Sequence, residues 1–388
     1  MFIFKPQKEY ALIDAGNSFK LERYGEYLIA RPDPQALWPK AVFNASANGS
    51  AQTVGTIGND NLNLWPNIDA VFAKSGNGGG SGRGGRGGDG RSDRGSVGGG
   101  ENGETRGEDE DTGNWIKTRS IPDRWPVKFE MGDGLPALNI YARLTPFKHT
   151  GIFPEQFTNW KWSMELIKKA LDNSHGDAIG TGDKSVEDDV QKFSKENPPR
   201  ILNLFGYSGG ATIACLLAGA HVTHVDSSKG AVTWANENAE LAGVKEMPVR
   251  WILEDAVSFV KKEVRRGNKY DGIILDPPAF GRGAKGEVWK IEKDFLPFLE
   301  LIFELLSDDA LFLILNGYAA GYSSIAYSQN LQNLIAKRGG EVEHGELCIE
   351  QDSVGFEKIM VGKMEDKKIV GVAPIILPCG IVARWKSA

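Results

Sequence analysis

Cysteine is scarce. Only Cys215, Cys348 and Cys379 occur in 388 residues, far apart and odd in number. Such a set excludes a disulfide framework and a cysteine-built metal centre, so no metal is expected, and it fits a reducing compartment. Long apolar runs are also missing: none approaches the roughly 18 residues that a membrane span needs. The opening MFIFKPQKEYALIDAG has no basic end followed by a long apolar segment, and it lacks the Arg-rich, acid-poor look of a transit peptide. The expectation is a cytoplasmic protein with no membrane association. Positive charge is in deficit too, with a net charge of −6. That excludes a whole-molecule electrostatic grip on nucleic acid, so any such binding must rest on a local basic patch.

What remains is ordinary globular composition, 41% apolar, on a chain long enough for two domains. Residues 1–73 and 114–150 carry short runs of aromatic and branched residues between Gly, Pro and Asn, the pattern of a small β-rich domain. Its last part interleaves Trp115, Trp125 and Tyr141 with Lys117, Arg119, Arg124, Lys128, Arg143 and Lys148. This mixture can stack bases and hold phosphates, but it is also common strand composition, the reading favoured here. The intervening 74–113, rich in Gly, Arg and acids, has almost no apolar residue to offset its ordering entropy and reads as a disordered insertion. Its GRGGRGG resembles an arginine-glycine box, yet acids outnumber arginines in the segment, which favours a solvated extension.

From residue 151 onward the chain reads as an amphipathic helix with Trp160, Met164 and Ile167 on one stripe, then a second polar extension over 172–199. After that, strands and helices alternate. Strands are expected at 201–205, 221–226, 249–253, 270–275, 310–316 and 341–350, with helices at 211–218, 229–242, 256–265, 295–306 and 323–337. A last strand pair is expected around VAPIILP and GIVARW. Alternation of this kind predicts a doubly wound, Rossmann-like parallel sheet, and strands with no helix between them predict an antiparallel edge.

Four strands end in a special residue, which describes a ligand crevice. The first runs into Gly206-Tyr207-Ser208-Gly209-Gly210, a turn that lets a ligand approach the backbone and opens a helix whose N–H groups suit a carboxylate or phosphate. Glycine serves packing in many such turns, and G-x-G-x-x-G is not matched, which argues against a nicotinamide reductase. Asp226, twenty residues past Gly206, can accept from both ribose hydroxyls, or it can cap a helix with Ser227 and Ser228. Asp255 can accept from an adenine amine, or cap the helix at Ala256. Asp276-Pro277-Pro278-Ala279-Phe280 is the sharpest signal. Two prolines stop the strand, leaving carbonyls without ladder partners beside a carboxylate, a set that can accept the hydrogens of an amine. Phe280 can stack on a flat substrate or sit in the core.

The stretches TGIFPEQ, NLFGYSGG, HVD, LAGV, YDGIILDPPAF and GIVARW resemble class I S-adenosylmethionine-dependent methyltransferases. The likeness is to the branch holding the 23S rRNA large-subunit methyltransferases and their bacterial relatives, and covers about two thirds of the chain, including an expected 151–388 methyltransferase domain. The resemblance implies S-adenosylmethionine as cofactor, with Phe205, Gly206, Tyr207, Ser208, Gly209 and Gly210 at its methionine end. It implies Asp226, with Ser227 beside it, on the ribose and Asp255 on the adenine, with Glu155 and Gln156 closing over the cofactor. Asp276, Pro277, Pro278 and Phe280 would hold the base to be methylated. Some relatives methylate carbon through a cysteine nucleophile. The stretch LFLILNGYAAGYSS has none, so the expected acceptor is a base nitrogen of RNA; the slightly basic loop that follows Phe280 suits a phosphate backbone, or a lid over any substrate. A small-molecule or protein-side-chain methyltransferase, and a non-catalytic RNA-binding assembly factor, stay open at this point, as does oligomeric state.

Overall fold

The computed structural model describes residues 1–40, 65, 67–74, 113–172, 193–282, 288–318, 321–360 and 373–388. The expected insertion at 74–113 and the middle of the loop after Phe280 lie outside the described residues, apart from their ends.

The chain begins with β1 (Phe2–Phe4), β2 (Tyr10–Gly16), β3 (Phe19–Tyr24), β4 (Tyr27–Pro32), β5 (Ala70–Lys74) and β6 (Gly113–Lys117), followed by β7 (Trp125–Phe129) and β8 (Leu138–Ala142). Strands β2 to β6 form one five-stranded sheet in that order, and β7 pairs with β8 as a separate hairpin. A short 3-10 turn, Pro154–Gln156, leads into α1 (Phe157–Asp172). Then come β9 (Arg200–Leu204), α2 (Gly210–Leu217), β10 (His221–Asp226), α3 (Lys229–Leu241), β11 (Val249–Leu253), α4 (Ala256–Arg265) and β12 (Gly272–Leu275). A small hairpin, β13 (Phe280–Arg282) with β14 (Val288–Lys290), precedes α5 (Ile291–Leu305) and β15 (Phe312–Gly317). The chain closes with α6 (Ser324–Gln329), α7 (Gln332–Arg338), β16 (Glu341–Glu350), α8 (Ser353–Met360) and β17 (Ile376–Lys386).

The main sheet has the order β1-β16-β17-β15-β12-β9-β10-β11. Its inner strands are buried along their whole length, GIIL in β12 and FLILNG in β15, as strands covered by helices on both faces must be. From β9 the chain winds outward through β10 and β11, then returns to lay β12 on the other side of β9. Connections therefore diverge between the carboxyl ends of β9 and β12, and that divergence opens a crevice.

Three details depart from the expectations. The terminal strand pair is one continuous strand, β17, antiparallel to both β15 and β16. Pro378 does not break it, because the register shifts at Leu347/Cys348 and Pro378 sits opposite Cys348 at that irregularity, where a missing N–H is tolerated. The antiparallel strand is not outermost, since β1 pairs in parallel with β16 and becomes the edge, so the first residues of the chain belong to the main sheet. The helix expected over 323–337 is two helices: Asn330 Nδ2 donates to the Ala326 carbonyl and Ser328 Oγ to that of Ile325, side-chain bonds that compete with the helical ladder.

Trp160, Met164 and Ile167 are buried as one stripe of α1. They join an apolar cluster that runs from Phe4, Tyr10, Trp125 and Phe129 to Ile201, Ile213 and Ile274. The N-terminal strands and the main sheet thus share one core, which holds the turn before α1 over the crevice.

Candidate active site

A cavity of about 590 Å³ opens at the carboxyl ends of β9, β10, β12 and β15. Phe205 to Ser208, Gly210, Asp226, Ser227, Asp276, Pro277, Pro278 and Gln156 all line it. A second cavity of about 370 Å³ shares Phe205, Ser227 and Pro278 as walls and has Asp255 and Val257 beyond them.

The turn between β9 and α2 is bent tightly. Phe205 and Tyr207 have φ of 58° and 44°, the left-handed region that costs a side-chain-bearing residue about 1 kcal/mol or more. It is held from several sides. Gly206 N donates to the Val225 carbonyl at 3.0 Å and Tyr207 N to Asp226 Oδ2 at 2.9 Å. Ser208 Oγ donates to the Gly151 carbonyl at 2.6 Å, and Asn238 Nδ2 to the Ser208 carbonyl at 2.8 Å. The glycines answer to protein packing: a Cβ on Gly206 would stand 2.5 Å from the His224 ring, on Gly210 2.6 Å from Trp160, and on Gly209 2.9 Å from Ala235. Contacts this close leave no room for a side chain at these three positions. Gly209, the residue before α2, supplies no side-chain cap, so the first N–H groups of that helix stay available to an anion.

Asp226 is not the cap of α3. Ser228 is, accepting from Ala231 N at 3.3 Å. The Asp226 carboxylate takes one N–H on each oxygen, from Tyr207 and from Ser228, and keeps lone pairs that face the cavity. Burial pushes its carboxyl upward, against those backbone bonds. Asp255 does cap α4, accepting from Ser258 N at 2.8 Å through Oδ1, while also lining the second cavity. Both readings of this residue are therefore compatible.

Asp276 opens partly into the main cavity. Burial raises its carboxyl, and the neighbouring Glu155 raises it further, to about 8. Glu155 is itself raised by burial and accepts from Tyr318 Oη at 3.1 Å. Gln156 Nε2 donates to the same Tyr318 oxygen at 2.8 Å. Asn159 Nδ2 then donates both to Gln156 Oε1 at 2.9 Å and to Asn316 Oδ1 at 3.0 Å. Next to the two prolines, Trp289 Nε1 donates to the Pro278 carbonyl at 2.7 Å and Ile291 N to that of Ala279 at 3.0 Å. Neither of these donors reaches the carbonyls of Asp276 and Pro277. Trp289 is buried, tilted against Phe205 and edge-on to Phe298.

Most of the expected residues line one cavity or the other; Glu155, Gly209 and Phe280 do not. Phe280 is 39% exposed at the start of β13 and lines neither cavity. At that exposure it is outside the core, and its ring can meet a substrate only outside the two cavities. Tyr318, Asn159, Asn316, His149 and Phe153 line the main cavity without having been singled out. Asn316 lies at the carboxyl end of β15, the position where β10 carries Asp226, and that rule alone could have flagged it. None of the cysteines lines either cavity, although Cys215 Sγ meets Ser163 of the main cavity's wall and Cys379 lies near Glu155 and Tyr318; burial pushes Cys215 up to about 12 and Cys348 to about 11. Among the described residues no cluster suits a metal ion, and no helix is long and apolar enough to cross a membrane.

Known proteins align with this architecture. A family described as S-adenosylmethionine-dependent methyltransferase matches residues 188–326. Ribosomal RNA large subunit methyltransferase I of Aeromonas salmonicida is 30% identical over 142 residues, 36% of this chain and 35% of that protein. Ribosomal RNA large subunit methyltransferase K/L of Shewanella frigidimarina is 32% identical over 115 residues, 29% of this chain and 16% of that protein. The chain thus spans about a third or less of the length of these curated relatives. The crystal structure of an S-adenosylmethionine-dependent methyltransferase from Agrobacterium tumefaciens is 30% identical, with a TM-score of 0.68, covering 99% of this chain and 93% of that one. With a match along nearly its whole length and a cavity at the switch point of its sheet, the chain belongs to the S-adenosylmethionine-dependent methyltransferases.

Proposed function

We propose that the protein methylates a base nitrogen of ribosomal RNA, with S-adenosylmethionine as donor. The observation that carries this reading is the pairing, in one cavity, of the Gly206–Gly210 turn and Asp226 with the Asp276 carboxylate and the Pro277 carbonyl. The names of the Aeromonas and Shewanella relatives support an RNA acceptor.

The residues present fit the donor. The uncapped start of α2 offers backbone N–H groups to a carboxylate where Phe205 to Ser208 and Gly210 line the space, and Asp226 offers lone pairs to two hydroxyls beside Ser227. The second cavity, between Phe205, Ser227, Val257 and Asp255, has the flat apolar walls and the acceptor that an adenine needs. Glu155 and Gln156 close the main cavity through Tyr318. When bound, the donor supplies an electrophilic methyl group on a sulfonium.

The protein's part is alignment and water exclusion. Asp276 and the Pro277 carbonyl accept the hydrogens of an amine, which turns its lone pair toward the methyl and stabilises the positive charge that develops on nitrogen. Pro277 and Pro278 keep those acceptors fixed, with Trp289 holding the Pro278 carbonyl. Phe280 serves a target base only where the substrate reaches outside the cavity. The strands β2 to β8 act as a unit that braces the 151–388 catalytic unit, whose sheet β1 extends at its edge. Three free thiols fit a cytoplasmic setting.

Mass spectrometry of ribosomal RNA nucleosides with and without the gene tests the reading, backed by methyl transfer from purified protein to RNA, protein and metabolite extracts. An N-methylated base that disappears with the gene is expected. Transfer to protein or metabolites alone overturns the acceptor, and no donor binding by calorimetry at millimolar concentration overturns the enzyme.

A further inference from the structure

Outside the cavities already described, a third of about 420 Å³ lies where the hairpin β7–β8 and the strap after it meet the start of α3. Lys117, Arg143, Phe147, Trp234 and Gly230 line it, and Tyr207 is its common wall with the main cavity. The two spaces are joined by a run of rings. Tyr318 meets Phe153 with centroids at 6.0 Å, and Phe153 meets Tyr207 at 6.0 Å and His149 at 5.9 Å. His149 stacks on Phe147 at 5.7 Å with planes 19° apart, and Tyr207 meets Trp234 at 5.7 Å. Phe147, at the outer end, is 45% exposed. The track thus leads from the wall beside Asp276 to an open aromatic face.

Charge at this mouth is modest. Arg143 lies over the Trp234 ring at 4.6 Å and shares Glu237 with Arg124. Counting exposed Asp123 as well, three cations (Lys117, Arg124, Arg143) face two acids, a surplus of one. Lys117 is exposed and has no ion pair among the described residues. The chemistry is a stacking platform with one phosphate-sized positive spot, not a broad basic surface.

Bases of a single strand can splay out and stack on aromatic side chains, and such binding tolerates any base because each has a π face. We propose that the third cavity seats the nucleotide next to the target in single-stranded RNA, its base on Phe147 and its phosphate beside Lys117. This rests on the RNA reading above and deepens it. The target base enters past Tyr207 while its neighbour stays on the outer ring.

The test uses the full chain, S-adenosylhomocysteine and a mixed-sequence single-stranded RNA of about ten nucleotides, within the site sizes usual for such grooves. Binding is followed by fluorescence anisotropy across a salt series. Phe147→Ala is expected to weaken binding roughly ten-fold or more, and Phe147→Tyr to restore it. Lys117→Ala is expected to reduce the slope of log K against log salt by about 0.7, one phosphate contact on a single strand. Thermal melting checks that the variants fold. Wild-type binding that neither variant changes overturns this inference and leaves the RNA reading intact. Equal binding of a duplex of the same sequence overturns the single-strand assignment. No RNA binding by the wild-type protein overturns the RNA reading and this inference with it.

Discussion

Replacing Asp276 by Asn, and separately Glu155 by Gln, tests the acceptor side of the site through its pH dependence. Burial, and then Glu155, push the Asp276 carboxyl from its ordinary 3.8 to about 8. The form that accepts amine hydrogens is the carboxylate, so it appears as pH rises. At pH 7 about a tenth of the free protein carries it, and at pH 9 about nine tenths, so kcat/KM for the donor should rise about ten-fold over that interval. The profile of kcat should lie at lower pH, because the donor's sulfonium places a positive charge near the carboxylate. Glu155→Gln removes the like charge and should move the limb toward lower pH. Asp276→Asn should abolish the limb and lower turnover about a hundred-fold or more, with donor affinity much less affected.

The same shift has a stability consequence. A carboxyl raised on folding keeps its proton longer in the folded state, so stability falls as pH climbs from 3.8 toward 8. The full shift bounds the cost at about 6 kcal/mol. Water in the open cavity screens the charge, which brings the expected cost to ~2 kcal/mol. Asp276→Asn should therefore resist urea better than wild type at pH 9 and equally at pH 4. A wild-type rate profile with no limb near pH 8, or a limb that survives in Asp276→Asn, would refute the reasoning.

Three further outcomes are expected. Asp226→Ala should weaken donor binding by about 1–3 kcal/mol in calorimetry, since hydroxyl acceptors and two backbone bonds go together; Asp226→Asn should lose less, and equal affinity for all three proteins would remove Asp226 from the site. Gly206→Ala should destabilise the fold by about 1–3 kcal/mol in denaturant melts, because its methyl would meet His224 at 2.5 Å; an unchanged midpoint would contradict the packing. A variant with Cys215, Cys348 and Cys379 all changed to Ala should still transfer methyl groups and form no carbon-5-methylcytidine; loss of transfer from a folded triple variant would reinstate a thiolate step.

Local patterns determine a good deal of this protein. The apolar runs of β12 and β15, and the shorter apolar stretches of β9 and β10, alternating with helices, are enough to expect a parallel sheet, because a strand covered on both faces must be largely apolar. Strand ends are legible for the same reason: Asp226 and the Asp276-Pro277-Pro278 stop stand where apolar runs cease, and a crevice follows from strand order. Other features depend on contacts distant along the chain. That β1 closes the edge of the main sheet beside β16 is a pairing across more than three hundred residues. No local signal in FIF carries it. Pro378 looks like a break until Cys348 faces it across an irregular register. Phe280 looks like a stacking ring and lies outside, while Tyr318, in a glycine-rich loop, turns inward to Glu155 and Gln156. The turn glycines answer to His224, Ala235 and Trp160, which reach them from a strand and two helices. Periodicity and punctuation announce an element and its end, since both arise from neighbours in sequence. Which side chain meets a given turn, and how far a carboxyl such as Asp276 is lifted by burial, depends on distant segments brought together, and only the tertiary structure decides it.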